Sequence, residues 1–106
     1  TEILHDWKSK TDKWTAMIAL HDGMAMNLIS MAEKMEIRVP DDIVVAGFDD
    51  YIYSRAFRPQ FPTTSPNFFH AGKIAARLLV NQIVTGKSSK DTYLLPVPIK
   101  KQGLKV

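Results

Sequence analysis

Uninterrupted apolar runs occur twice along the chain, at 15–20 and 43–48, and polar residues follow each run at once. Runs of this length without polar alternation predict strands that are buried on both faces, as in parallel sheets covered by helices. Ligands of open parallel sheets bind at the carboxyl ends of the strands. His21 and Asp22 follow the first run, and Asp49 and Asp50 follow the second, so position alone makes Asp49 and Asp50 binding candidates.

A helical pattern lies between the two runs, over about 23–36. Its apolar face repeats at i, i+4, i+7 and i+11 and consists of Met24, Leu28, Met31 and Met35. We interpret this methionine-rich face as core, and the alternative is a subunit interface, where methionine is also enriched. Asp22 is expected to cap the helix, because its carboxylate can accept hydrogen bonds from the free N–H groups of the first turn.

A second helical pattern covers about 68–85. Asn67 is predicted to cap its start, and Gly86 to supply the left-handed stop at its end. The apolar face of this helix comprises Ala71, Ile74, Ala75, Leu78, Leu79 and Ile83.

Shorter segments complete the pattern. The apolar spacing within 1–13 predicts the end of an amphipathic helix, with a frayed terminus as the alternative. Residues 51–58 are expected to form one or two helical turns. Three prolines remove regular structure from 59–66, which we interpret as a segment crossing between two lobes. Residues 93–99 are extended, and two prolines confine them to an edge or an irregular strand.

The element order predicts an α/β fold, in which two central strands joined through a helix form one right-handed βαβ unit. Together with one edge strand, these are too few strands for a complete sheet of this kind. We therefore expect part of a three-layer parallel sheet with flanking helices, and a chain that is incomplete.

Composition narrows the class of protein. Of 106 residues, 45% are hydrophobic, which excludes a disordered chain. No apolar run approaches the roughly 20 residues of a membrane helix. The chain has no cysteine, which fits a cytoplasmic location. The net charge of +3 is mild and the basic residues are scattered, so a solvated surface is favoured over a nucleic-acid face.

A resemblance becomes specific around the second run. The segments 38–43 (Arg-Val-Pro-Asp-Asp-Ile) and 45–50 (Val-Ala-Gly-Phe-Asp-Asp) resemble the signature of the LacI/GalR family of bacterial transcription regulators. The resemblance implies the carboxyl-terminal part of an effector-binding domain with the type I periplasmic-binding-protein-like fold. It divides the chain into a second lobe at 1–61, a crossing segment and first-lobe helix at 62–86, and a closing edge strand and tail at 87–106.

The same resemblance implies roles for individual residues. Asp49 matches the carboxylate with which the family binds sugar hydroxyls or similar groups, and Asp22 matches a family aspartate. His21 stands where the family usually has an asparagine that touches the effector. Either Ser65 or Asn67 matches a polar position that offers an amide to the ligand. An aromatic ring could stack on a sugar, from Phe48 or Phe68, although core packing is favoured for both.

The predicted function is sensing of a small molecule, expected to be a sugar, by a regulator whose DNA-binding head lies outside this chain. A periplasmic sugar-binding transport protein is the alternative. A metal-dependent enzyme using Asp49 and Asp50 is the third hypothesis. Because the sequence carries no nucleophile motif, phosphate loop or His-x-x-x-His pair, we expect neither an enzyme nor a bound metal or cofactor.

The last expectation concerns the oligomeric state. The resemblance places helix 23–36 and segment 51–58 at the family's dimer face, which predicts a homodimer with Met26, Tyr53 and Phe57 at the interface. Incomplete coverage of the sheet would also leave apolar surface and strand edges exposed.

Overall fold

The computed structural model describes residues 2–88 and 91–104, which fold as two compact units. The first unit comprises Thr1–Ser65 and Ile99–Val106, and the second comprises Pro66–Pro98. The elements in chain order are α1 (Glu2–Ser9), β1 (Ala16–Ile18), α2 (Asp22–Lys34), β2 (Val44–Ala46), a 3-10 helix (Ile52–Arg55), β3 (Thr63–Thr64), α3 (Phe68–Thr85) and β4 (Ile99–Lys100).

Strands β1 and β2 form the parallel pair that the two apolar runs predict, with α2 between them along the chain. Ala16 lies opposite Val44, and Ile18 lies opposite Ala46. The prediction that both faces of this pair are buried was wrong. Val45 is buried, but Ala46 is half-buried and Ile18 is 81% exposed, because helices of this unit cover one face only.

Two apolar clusters hold the first unit together. One joins α1 to the sheet through Leu4 and Trp7, which pack with Met17 and Ile43. Of the two alternatives for residues 1–13, an amphipathic helix or a frayed terminus, the helix is therefore correct, since its apolar face packs against the sheet. The second cluster centres on Ala25, Ile29, Val45 and Phe61 and lies between α2 and β2.

The core face of helix α2 overlaps the one that the methionines predicted but is centred beside it, because Leu28, Met31 and Met35 pack half-buried against the two apolar clusters. Its buried apolar residues are Ala25, Ile29 and Ala32, whereas Met24 is exposed and Met31 is half-buried. Small and β-branched side chains let the helix approach the sheet closely, so the flexible methionines lie on the flank.

The predicted helical turn at 51–58 is confirmed by the 3-10 helix, but the expectation of no regular structure over 59–66 was wrong. Thr63–Thr64 forms β3, which pairs antiparallel with β4, so that Thr63 lies opposite Lys100 and Thr64 lies opposite Ile99. The pairing is possible because the prolines at 62 and 66 flank the strand and do not lie in it, so both threonines keep a backbone N–H for the ladder.

The second unit contains α3, and both of its predicted ends are confirmed. The Asn67 side chain accepts a hydrogen bond from the His70 N–H at 2.9 Å, and Gly86 ends the helix at φ +65°. None of the α3 residues is buried. Among the residues that the structure describes, no helix is both long and apolar enough to cross a membrane.

Candidate functional site

The carboxyl ends of β1 and β2 meet at one edge, because the strands are parallel. A hydrogen bond of 2.9 Å from the Asp22 N–H to the Phe48 carbonyl joins the two segments that leave the strands. This contact brings the polar residues after β1 close to those after β2, as the sequence predicted.

His21 caps α2, so the expected cap at Asp22 was wrong by one residue. The backbone of His21 is extended, and its Nδ1 accepts a hydrogen bond from the Met24 N–H at 3.3 Å. The ring also stacks on Tyr51, with centroids 5.6 Å apart and planes at 15°. Because Nδ1 acts as an acceptor here, Nε2 carries the ring proton and is the atom that remains to contact a ligand.

Asp22 points inward instead and has no exposed surface. Its carboxylate accepts hydrogen bonds from the Tyr51 N–H at 2.8 Å, the Ser54 hydroxyl at 2.7 Å and the Thr63 hydroxyl at 2.5 Å. A buried carboxylate is tolerated only with such a full set of donors. The predicted ligand contact at Asp22 stays a prediction, and its burial favours an indirect role in positioning the surrounding segments.

Gly47 explains how the Asp22 carboxylate can lie so close to β2. A Cβ on Gly47 would collide with Asp22 Oδ1 and would come within 2.7 Å of the Phe61 ring. Glycine is therefore required by space at this position. Since the Gly47 N–H donates to the Pro62 carbonyl at 2.8 Å, the same position also joins β2 to the segment that precedes β3.

The Asp49–Asp50 turn has an unusual backbone. Both residues lie in the left-handed region, with φ values of +85° and +50°, which aspartate tolerates better than most residues. The Asp49 N–H donates to the Thr64 hydroxyl at 3.1 Å, and the Asp50 N–H donates to the Thr63 hydroxyl at 3.3 Å. Two consecutive threonines therefore hold this turn in a conformation that needs external support.

The side chains of the two aspartates differ in their surroundings. The Asp50 carboxylate is only 4% exposed and is bonded to Lys100 Nζ at 2.5 Å, Ser65 Oγ at 2.7 Å and Arg55 Nη2 at 3.0 Å. Burial alone would raise its pKa, but the hydrogen bonds from Lys100, Ser65 and Arg55 outweigh burial and lower the pKa to about 2.

Asp49 is half-buried, and its carboxylate makes no hydrogen bond or ion pair with the described residues, 2–88 and 91–104. Its oxygens are acceptors with free lone pairs, beside a turn whose two N–H groups are bonded to threonine hydroxyls. Nowhere in those two ranges are three or more His, Cys, Asp or Glu side chains grouped so that they could hold a metal ion.

An apolar wall adjoins this turn. A cavity of about 240 Å³ is lined by residues of both strand pairs, which are Ile18, Ala46, Gly47, Phe48, Pro62, Thr63, Thr64 and Ile99. The core packing that we weighed for Phe48 and Phe68 was wrong, because these rings are 44% and 62% exposed. Phe48 therefore offers a ring at the strand ends, where the apolar face of a ligand can pack.

A larger cavity of about 580 Å³ contains none of the predicted site residues. Its lining comprises Ile29, Glu33, Glu36, Ile37, Arg38, Val39, Asp41 and Pro59. Size alone does not identify a binding site. The smaller cavity has an apolar lining that includes the Phe48 ring, and two of its residues, Thr63 and Thr64, bond to the turn that carries Asp49.

The remaining predicted residues lie in different surroundings. Ser65 is half-buried and bonded to Asp50, while Asn67 is exposed and belongs to the second unit as the cap of α3. Of the predicted interface residues, Tyr53 is 70% exposed, and Met26 and Phe57 are half-buried against the second apolar cluster. No contact in this single chain tests the interface.

Sequence reasoning missed the partners that build the site. Tyr51, Ser54, Thr63, Arg55 and Lys100 all bond to the carboxylates of Asp22 or Asp50. Of these five, only Thr63 had a signal in the sequence. It belongs to three successive hydroxyl residues at 63–65 between two prolines, which could donate to the acidic ends of the strands.

Comparisons with known proteins agree with this architecture. The profile of the periplasmic binding protein-like domain family matches residues 2–102. A transcriptional repressor of the helix-turn-helix type, PurR from Photobacterium profundum, is 34% identical over 82 residues, or 77% of this chain and 25% of the relative. A ribose operon repressor from Halalkalibacterium halodurans is 31% identical over 84 residues, or 79% of this chain and 25% of the relative. The chain thus spans about a quarter of the length of these relatives.

Solved structures show the same fold. A dimeric Lac repressor with an 11-residue carboxyl-terminal deletion has a TM-score of 0.75 and 31% identity, over 84% of this chain and 32% of the other. A LacI family regulator from Enterococcus faecium with bound ribose has a TM-score of 0.80 over 98% of this chain and 39% of the other, at 24% identity. These matches confirm the α/β fold class and the resemblance to LacI-type regulators. The chain therefore belongs to the periplasmic binding protein-like domain family, and it is similar to part of the repressors and LacI-type structures named above.

Proposed function

We propose that this chain supplies one wall of a small-molecule effector site in a transcription regulator, and that the effector is a sugar. The observation that carries the proposal is the Asp49 carboxylate. It lies at the carboxyl end of a parallel strand, without a partner among residues 2–88 and 91–104, while the backbone of its turn is held by Thr63 and Thr64. An acceptor that is held rigidly and left free is suited to bind a hydroxyl donor.

The neighbouring groups fit the same class of ligand. A sugar presents hydroxyl groups around its edge and an apolar C–H face. Asp49 would accept from the hydroxyls, the Nε2–H of His21 would donate to an oxygen, and the Phe48 ring would pack against the C–H face. Ser65 and Asn67 are further candidates that rest on the resemblance. Asp22 is proposed to act through the segments that it holds.

The relatives support a regulator over a transport protein, because the curated ones named above are repressors. Operator DNA would then be bound by a head outside this chain, and the protein would act in the cytoplasm, where the DNA lies. We further propose a homodimer through Met26, Tyr53 and Phe57, of which exposed Tyr53 has the largest surface to bury. Sedimentation should show a dimer that Tyr53→Glu weakens; a stable monomer at high concentration would contradict the dimer.

Isothermal titration with ribose, galactose and glucose tests the sensing function. At least one sugar should give saturable heat, and Asp49→Ala should weaken its binding at least tenfold, since the ligand loses a charged hydrogen-bond acceptor. Asp12→Ala, an aspartate on the exposed turn after α1, is the matched control and should bind like the unmodified chain. Absence of saturable heat with all three sugars, or equal losses in the two variants, would overturn the proposal.

A further inference from the structure

Asp50 lies where the chain leaves the first unit and where it returns. Ser65 is the last residue before the second unit begins at Pro66, and Lys100 is the second residue after that unit ends at Pro98. Both donate to the same oxygen, Oδ2 of Asp50, at 2.7 Å and 2.5 Å. One buried carboxylate therefore fixes both passages of the chain.

The strand pair formed by these passages needs such support. β3 and β4 have two residues each, and even a longer isolated pair of strands is only marginally stable in water. Ser65 follows β3 beyond the Thr64–Ile99 pair, and Lys100 ends β4 opposite Thr63, so the Asp50 bonds hold the short pair at both of its ends. Arg55 adds a third donor, which reaches the carboxylate from the 3-10 helix.

The same turn connects the strand pair to the proposed ligand acceptor. Asp49 and Asp50 are adjacent, both have positive φ, and their N–H groups donate to Thr64 and Thr63 of β3. A turn in this conformation persists only while its surroundings hold it. The direction of the Asp49 carboxylate and the position of β3 are therefore set by one connected group of hydrogen bonds.

We propose that Asp50 is a positioning residue that couples the Asp49 site to the β3–β4 pair, so that breaking the Asp50–Lys100 bond both loosens this pair and weakens effector binding. The coupling rests on the proposed function, because its second half requires an effector at Asp49. By thermodynamic linkage, an effector that binds the ordered turn more tightly must in turn stabilise the strand pair.

Hydrogen exchange of the intact chain, followed amide by amide, tests the first half without any ligand. Lys100→Met should speed exchange about tenfold at Thr63–Thr64 and Ile99–Lys100, because one charge-assisted bond is lost, and should leave the Val45 amide unchanged. Lys101→Met is the matched control, since Lys101 is an exposed neighbour of the same charge. Lys100→Arg should restore slow exchange. Equal acceleration at Val45 would reveal a merely structural role and overturn the proposal, as would no change at β3 and β4.

Titration with ribose tests the second half. Ribose should slow exchange at β3 and β4 in the unmodified chain, and Lys100→Met should weaken its binding severalfold although Lys100 is not a proposed ligand contact. Galactose and glucose are titrated in the same way. If none of the three sugars binds while Lys100→Met still loosens the strand pair, the sugar-sensing function fails and the anchoring by Asp50 stands. If ribose binds equally well to both chains, the coupling is wrong and the sensing function stands.

Discussion

Thr63 donates its hydroxyl to the Asp22 carboxylate at 2.5 Å, which joins the start of α2 to β3 across 41 positions of sequence. The same hydroxyl accepts a hydrogen bond from the Asp50 N–H. Thr63 therefore connects the segments that follow β1 and β2 to a third passage of the chain. The site is held by buried polar contacts of this kind as well as by apolar packing.

Removing the acceptor should destabilise the chain strongly. Asp22→Ala leaves the Ser54 hydroxyl, the Thr63 hydroxyl and the Tyr51 N–H without their partner in a buried space. We expect a loss of about 3 kcal/mol or more in the free energy of unfolding, measured by urea denaturation. Asp6→Ala, which removes an exposed carboxylate paired with Lys10, should cost about 1 kcal/mol at most. Similar losses for the two variants would contradict the role assigned to Asp22.

Two glycines should respond in opposite directions to the same substitution. Gly47→Ala forces a methyl group against Asp22 and Phe61, and should destabilise the chain by about 1–3 kcal/mol. Gly72→Ala lies within α3, where an added Cβ meets nothing within 4 Å. It should leave stability unchanged or raise it by up to about 1 kcal/mol, because alanine favours helix. Thermal unfolding compares the stability of the two variants. A Gly47→Ala variant as stable as the unmodified chain would mean that the Asp22 carboxylate does not approach Gly47 closely.

The cap of α2 predicts a graded series at His21. His21→Ala removes the acceptor for the Met24 N–H and should cost about 1 kcal/mol of stability. His21→Asn keeps a good capping side chain and should recover most of that loss. Chemical denaturation followed by circular dichroism measures both variants. A neutral His21→Ala would show that the hydrogen bond and the stacking on Tyr51 contribute nothing.

Acid should lower the folding stability of the chain by protonating Asp50. Its pKa is lowered from 3.8 to about 2, so the stabilisation from Lys100, Ser65 and Arg55 is complete above about pH 4 and is lost as pH falls from 4 towards 2. The shift corresponds to about 2 kcal/mol. Asp42, paired with exposed Arg38, also has a pKa lowered to about 2 and titrates in the same window.

The Asp50 contribution is isolated by comparing the unmodified chain with Asp50→Asn across that window. The stability difference between the two chains should shrink as pH falls from 4 to 2, while Asp42 contributes equally to both. A difference that stays constant with pH would show that the Asp50 carboxylate is not held in its charged form.

Apolar patterning located β1, β2, α2 and α3, because continuous apolar runs and helical repeats mark where these elements lie even where their faces are exposed. It also located Asp49 and Asp50 at the strand end, since parallel strands deliver their carboxyl ends to one edge. It located the core face of α2 only in part. Ala25 and Ala32 are fully buried because close packing selects small residues, whereas Met31 and Met35 pack half-buried at the edge of the core. It could not find Lys100 or Thr63, whose partners lie 50 and 41 positions away. Such pairs depend on tertiary structure.

The most direct measurement is the map of backbone amide shifts of this chain during titration with whichever of ribose, galactose and glucose binds most tightly, recorded for the unmodified protein and for Asp49→Ala. The account predicts saturable shifts confined to 21–22, 48–50 and 63–65, which Asp49→Ala abolishes while its spectrum stays folded. Shifts that cluster around the larger cavity at Glu33 and Arg38, or that persist in Asp49→Ala, would contradict it.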